Sequence, residues 1–138
     1  MNELKEARMA LSGAVRCAAV KDGKLYTSAE KGLRPLLLWL RDEPELLCGA
    51  CVADKIVGRA AAMLMIYAGV REVFASVISN GAISLLRENG IDVSYSMTAI
   101  AISNRRGDGI CPMERAIAPV SDPETAYKLL LEKVFSDN

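Results

Sequence analysis

Apolar and polar residues follow two different periods along this chain, and the changes between them mark the predicted elements. Residues 2–11 repeat apolar side chains at helical spacing, which predicts an amphipathic helix. Residues 14–20 form an apolar, strand-like run that Asp22-Gly23 turns back into a second strand over 24–27. The chain therefore begins with a helix followed by a β-hairpin.

Helices and strands alternate through the rest of the chain. The predicted elements are a helix over 32–41, a strand over 46–52, a helix over 54–67, a strand over 72–78, a helix over 83–88, strand-like residues 93–102, a short helix over 112–118 and a final helix over 123–135. A hairpin joined to strands with helical crossovers indicates an α/β protein: a three-layer α/β/α sandwich with a mixed sheet. A length of 138 residues predicts a single domain over 1–138.

Composition excludes several classes of function. Seventeen basic and 17 acidic residues balance, and only two Phe and one Trp are present, so nucleic acid and membrane surfaces are poor partners. No run of about 18 apolar residues occurs and the N-terminus does not resemble a signal peptide, so we expect a cytoplasmic protein. With no histidine, imidazole bases and His-ligated metals are excluded.

Asp54 and Lys55 follow an apolar run at the predicted start of the helix over 54–67. Unpaired N–H groups at a helix start attract negative charge, so we expect Asp54 to act as a base or hydroxyl anchor and Lys55 to bind phosphate. Gly58 indicates close packing or ligand approach, because glycine within a helix costs about 0.5–1 kcal/mol relative to alanine. Simple capping by Asp54 is the alternative.

The polar segment 104–114 supplies the second half of the predicted site. Backbone N–H groups of a glycine-bearing loop suit an anion, and arginine clamps phosphate. The candidate ligand-binding residues here are Asn104, Arg105, Arg106, Gly107 and Gly109, and the candidate catalytic residues are Cys111 and Glu114. Ser79 and Asn80, at the end of a predicted parallel strand, are expected to line the same cleft. The alternatives are a solvated turn for the segment, a small buried hydrophobic side chain for Cys111, and helix capping for Glu114, Ser79 and Asn80.

Two sequence blocks, DKxxGxAAA at 54–62 and NRxGxGxCPME at 104–114, are similar to a small bacterial family of unknown function with a cytidine deaminase-like fold. Zinc deaminases place His/Cys-Ala-Glu and Pro-Cys-x-x-Cys at two helix starts. The matching positions here are Val52-Ala53-Asp54 and the 110–114 segment. Val52 cannot bind a metal and Glu114 replaces a thiolate, so the resemblance implies a ligand pocket without the zinc centre.

We therefore expect the cleft to bind or process a nucleotide-like small molecule with no metal and no cofactor; whether it catalyses a reaction is open. One alternative is a non-catalytic regulatory or assembly module, with a homodimer as its simplest form. Another is a zinc or redox protein built on Cys48, Cys51 and Cys111, which fits less well because Cys48 and Cys51 on one strand would point to opposite faces.

Overall fold

The structure, a computed structural model, describes residues 2–103, 107 and 109–136. Helices and strands alternate along the chain as the sequence predicts, with the hairpin near the N-terminus. The elements are α1 (Glu3–Ala10), β1 (Cys17–Lys21), β2 (Lys24–Ser28), α2 (Arg34–Asp42), β3 (Cys51–Val57), α3 (Arg59–Ala68), β4 (Glu72–Ser79), α4 (Asn80–Glu88), β5 (Asp92–Ala99), α5 (Pro112–Ile117) and α6 (Pro123–Phe135).

The five strands form one mixed sheet in the order β2-β1-β3-β4-β5. Strand β1 is antiparallel to β2 and β3, whereas β3, β4 and β5 run parallel to each other. Asp22 (φ 51°) and Gly23 (φ 78°) both have positive φ at the hairpin turn, as a tight two-residue hairpin requires. The mixed sheet with a hairpin at one edge is confirmed.

The two faces of the sheet are covered unequally. On one face α1 is the only described helix that packs on the sheet, with Ala7 in a small core together with Ala18, Val20, Ala53 and Phe74. On the other face residues of α2, α3, α4, α5 and α6 join the larger core. The arrangement is consistent with a three-layer sandwich in which one outer layer is a single helix. Within the described residues, no helix is both long and apolar enough to span a bilayer.

The boundary between β3 and α3 differs from the prediction. The strand occupies Cys51–Val57 instead of 46–52, and the helix begins at Arg59 instead of Asp54. The run 46–50 is apolar because Leu46 and Leu47 insert into the core from turns, and Gly49 has φ 77° there. Asp54 is instead held in a central strand, which pairs with β1 on one side and β4 on the other.

Candidate functional site

A cavity of about 560 Å³ opens at the carboxyl end of β3. Its walls come from the turn before α2, the starts of α3 and α5, and residues 102–103 after β5. Open α/β sheets place ligand sites at the carboxyl ends of their parallel strands. Asp54, Cys111 and Glu114 line this one cavity. The fold thus brings together the two sequence segments that carried the candidate chemistry.

Asp54 is the buried acid of the cavity. It is 7% exposed and lies within β3, between Cys17 of β1 and Ala75 of β4. Burial raises the pKa of Asp54 to about 7, while the backbone N–H groups of Lys55 and Ile56 lower it by a smaller amount. The prediction that Asp54 stands at a helix start is wrong, but its carboxyl group can exchange a proton near neutral pH, as general acid–base chemistry requires.

Glu114 binds the start of α3. Its Oε1 accepts a hydrogen bond from the Arg59 N–H at 2.7 Å, and its Oε2 accepts one from the Ala60 N–H at 2.6 Å. These N–H groups belong to the first turn of the helix and have no partner within it. The N–H groups at the helix start, which attract negative charge, are therefore occupied by a carboxylate of the same chain.

Gly58 permits this close contact. It is the N-cap of α3 with extended backbone (φ −103°, ψ −172°), so its conformation alone does not require glycine. A Cβ atom at this position would lie 2.6 Å from Oε1 of Glu114 and 2.7 Å from Cγ1 of Ile102. Glycine is needed because the α5 carboxylate and the 102–103 segment approach the backbone too closely for any side chain.

Arg59 makes the return contact, which the sequence analysis did not identify. Its guanidinium donates to the carbonyl oxygens of Ile117 at 2.8 Å and Val120 at 2.7 Å, at the end of α5. Glu114 of α5 thus caps α3, and Arg59 of α3 caps α5. The sequence feature that could have pointed to Arg59 is its position directly after Gly58, at the start of an alanine-rich run within the 54–62 block. We call Gly58, Arg59 and Glu114 the reciprocal cap.

Lys55 lies beside the cavity but is directed differently from Asp54. Its Nζ donates to the carbonyl oxygen of Gly13 at 3.2 Å, in the segment that follows α1. Lys55 also lines the cavity. The structure therefore places Lys55 at the margin, where it contacts the N-terminal segment.

Two cysteines belong to the surroundings of Asp54: Cys111 lines the same cavity, and Cys17 lies on the neighbouring strand. Cys111 is the half-buried N-cap of α5, lines the cavity, and donates its backbone N–H to the Ile102 carbonyl at 2.9 Å. Cys17 is fully buried and pairs in register with Asp54. Burial, and next the charge of Asp54, raise the pKa of the Cys17 thiol well above its usual value. Cys111 is therefore the accessible thiol of the site, whereas Cys17 belongs to the buried core.

Basic side chains border the cavity on the side of β1 and α2. Arg16 and Lys31 are exposed and line it. Arg34 also lines it, but this side chain pairs with Glu30 at 3.1 Å and lies over the Phe135 ring at 4.6 Å. The sequence analysis did not select these residues, because Arg16, Lys31 and Arg34 occur singly and far from both motif blocks.

Several predicted site residues lie elsewhere. Ser79 is the N-cap of α4 and accepts from the Ala82 N–H at 3.2 Å, which favours capping over ligand binding. Ser79, Asn80, Gly107 and Gly109 are not among the described residues that line the cavity. Asn104, Arg105 and Arg106 lie outside the residues that the structure describes, so their predicted ligand contacts remain predictions.

The cysteines of the C-x-x-C segment lie apart from Cys111. Cys48 is exposed in a turn, and Cys51 is buried at the start of β3, whereas Cys111 lines the cavity at the opposite end of that strand. Burial raises the pKa of Cys51, and Arg71 Nη2 lies 3.1 Å from its Sγ. In the described part of the chain, no three His, Cys, Asp or Glu side chains are grouped so that they could hold a metal ion.

Comparison with known proteins gives a family and a structural relative. A family model described as a domain of unknown function (DUF1893) matches residues 6–134. The chain is similar to the crystal structure of a DUF1893 family protein (TM1506) from Thermotoga maritima, with a TM-score of 0.78 and 28% sequence identity over 86% of this chain and 80% of that chain. No curated protein matches the chain.

The reciprocal cap predicts that Gly58→Ala destabilises the protein by about 1–3 kcal/mol, because the new methyl group overlaps the Glu114 carboxylate. Chemical denaturation measures this change. The matched control is Gly81→Ala in α4, where a Cβ atom meets nothing within 4 Å. The cost of Gly58→Ala should shrink in a Glu114→Ala background, leaving the contact with Ile102; equal costs in both backgrounds would contradict the close contact.

The buried carboxyl group predicts a pH-dependent stability. Folding raises the pKa of Asp54 from 3.8 to about 7, so its contribution is fully present below about pH 4 and is lost as pH rises through about 7. Relative to Asp54→Asn, the wild type should lose up to about 4 kcal/mol of unfolding free energy over this window. Denaturation of both proteins at a series of pH values measures the difference.

The control for this series is Asp122→Asn. Asp122 caps α6, and hydrogen bonds from Thr125 lower its pKa, so its contribution should instead be lost as the solution is made acidic. A difference between wild type and Asp54→Asn that stays constant from about pH 4 to about pH 8 would show that Asp54 is ionised throughout.

Proposed function

The chain belongs to the DUF1893 family, and we propose that the cavity beside Asp54 binds a small, nucleotide-like anion. The observation that carries the proposal is one buried carboxyl group facing a cavity that has basic side chains at its border. Such a site contacts a polar ring at its inner end and an anionic group at its mouth. A base and a phosphate are joined in this way in a nucleotide.

The size and lining of the cavity support a ligand of this class. Its volume of about 560 Å³ falls within the range of about 300–1,000 Å³ that is usual for small-molecule sites. Leu33, Met113 and Val134 contribute apolar surface. An apolar wall beside a few polar groups favours a flat ring, because the ring buries its faces while its edge makes hydrogen bonds.

Asp54 is the proposed contact for the edge of the ring. A carboxylate accepts hydrogen bonds and offers two oxygens, so it favours a ring that presents adjacent N–H groups or an amino group. The same carboxyl group is protonated at lower pH and is then a donor through one oxygen. Binding of an N–H-rich ring should therefore weaken as the solution becomes more acidic than about pH 7.

The phosphate would be bound by side chains. The start of α3 already binds Glu114, so it offers no free N–H groups at Arg59 and Ala60. Arg16 and Lys31 line the cavity and are exposed, which suits a phosphate at the mouth. The sequence analysis had selected Lys55 and the arginines of segment 104–114 for this phosphate, and Arg16 and Lys31 are added to them here.

We further propose that the fold is cytidine deaminase-like without the zinc centre. The strand order β2-β1-β3-β4-β5 and the placement of the cavity between the starts of α3 and α5 support this relationship. Val52, which the sequence match aligned with a zinc ligand, is fully buried in the larger core and is absent from the cavity lining. Asp54 lies inside β3 and not at the start of α3, so it corresponds to the proton-shuttling glutamate of zinc deaminases in the sequence match alone. Asp54 and Cys111 are candidate reactive groups in the cavity, and the proposed ligand binding does not depend on turnover.

The proposal predicts that a nucleoside monophosphate raises the melting temperature of the protein. A ligand present at about 100 times its Kd stabilises the fold by about 2.7 kcal/mol, which corresponds to a rise of several degrees. Asp54→Asn and Lys31→Ala should each remove most of this shift. The panel comprises the four common bases as monophosphates, the free nucleosides and inorganic phosphate, measured by thermal unfolding and calorimetry.

Lys5→Ala is the matched control for Lys31→Ala, because Lys5 is an exposed lysine on α1 that does not line the cavity. A nucleoside that binds without its phosphate would place the affinity on Asp54 and overturn the phosphate assignment. Absence of any shift across the panel, or shifts that survive Asp54→Asn and Lys31→Ala alike, would contradict binding in this cavity.

A further inference from the structure

Strand β5 (Asp92–Ala99) lies at one edge of the sheet and is open to solvent along most of its length. Within the described residues it pairs only with β4. An edge strand presents unpaired N–H and C=O groups that can pair with another chain. Proteins usually block this with charged side chains, proline or a very short strand. Residues 93–99 contain no charge, no proline and no glycine.

The other edge of the sheet is different. Strand β2 is only five residues long and begins with Lys24, which is exposed. Lys21 lies next to it on the hairpin and donates to the Glu45 carbonyl oxygen. A short edge with lysines around its turn is protected against strand addition. Of the two edges, β5 is therefore the one that is less protected against strand addition.

A row of apolar side chains crosses the sheet from β3 to the β5 edge, and several of them are exposed. Ile56, Val77 and Met97 are register neighbours across β3, β4 and β5, and Ile56 and Met97 are 56% and 61% exposed. Tyr95 is 38% exposed on the same strand as Met97, and Ile100, directly after it, is 92% exposed. Contiguous exposed apolar groups of this kind mark interaction surfaces.

We propose that two copies of the chain pair through β5 in antiparallel register, with the two-fold axis at Ser96, to form a continuous ten-stranded sheet. This register places Tyr95 opposite Met97 of the second copy and Ser94 opposite Thr98. Apolar residues then meet apolar residues and polar residues meet polar ones, which is how cross-strand pairs stabilise a sheet.

The charge pattern also suits a second copy as the occupant. Asp92 is the one charged residue of β5, and in this register it lies opposite Ile100 of the second copy. No like charges meet along the paired strands, and like charges directly opposite each other are what destabilise such pairs. A two-fold axis makes the contact isologous, so it closes on itself and does not extend into a fibre.

The first test is the mass in solution over a range of protein concentrations, by light scattering and sedimentation. The wild type should reach twice the 14.9 kDa of the single chain. Ser96→Lys places two lysines face to face on the axis and should return the mass to that of the monomer. Thr27→Lys puts the same charge on the exposed face of β2 and should leave the dimer unchanged. Thermal unfolding confirms that each variant is folded.

The second test is a disulfide across the axis. Directly opposed residues of antiparallel strands have Cα atoms about 4.5–5.5 Å apart, which is within the range of a disulfide. Ser96→Cys should therefore give a covalent dimer on mild oxidation, whereas Ser94→Cys should not, because Ser94 lies opposite Thr98. Both variants are made in a background with Cys48→Ser and Cys111→Ser, since Cys48 is exposed and Cys111 is half-buried.

Three outcomes would overturn the proposal. These are a wild type that stays monomeric at every concentration, a dimer that Ser96→Lys leaves intact, and equal cross-linking of Ser96→Cys and Ser94→Cys. The second outcome would show that the copies meet through another face.

Discussion

The contact between the Glu114 carboxylate and the first N–H groups of α3 is the interaction on which the site depends. It fixes the short helix α5 against the end of β3, although α5 follows a long polar segment. Arg59 strengthens the same junction from the other side by binding the carbonyl groups of Ile117, at the end of α5, and of Val120, three residues later. A six-residue helix has few hydrogen bonds of its own, so its position is set by these contacts and by buried Ile117.

The burial of Asp54 costs folding free energy, and the contact between Glu114 and α3 gives no reason for that cost. Burying a carboxyl group disfavours its charged form, and the raised pKa is the measure of that cost. Its register neighbours Cys17 and Ala75 are fully buried, so the carboxyl group lies in apolar surroundings. Strained or costly groups are most often found where a protein binds or reacts. The cavity and the acid are therefore best understood together.

The two edges of the sheet differ in length and charge. The hairpin edge is short and carries lysines, whereas the β5 edge is longer and has a single charged residue, Asp92, at its start. The cavity lies at the carboxyl end of β3, between these edges. Pairing through β5 would leave the cavity's basic border, formed by Arg16 and Lys31 near β1 and α2, away from the interface. Ligand binding and self-association are thus compatible in one chain.

The sequence by itself determined the α/β class, the hairpin and the order of the elements, because these depend on local periodicity and turn chemistry. It also indicated Asp54, Cys111 and Glu114 as candidate site residues, since charged groups and a thiol at apolar boundaries stand out. It misplaced the start of α3, because a run such as 46–52 has the same composition whether it forms turns or a strand. Tertiary structure alone decided that Asp54 is buried within a strand and that Glu114 and Arg59 cap each other's helices. Those roles depend on contacts between residues more than fifty positions apart, and one-dimensional patterns do not record which distant groups meet.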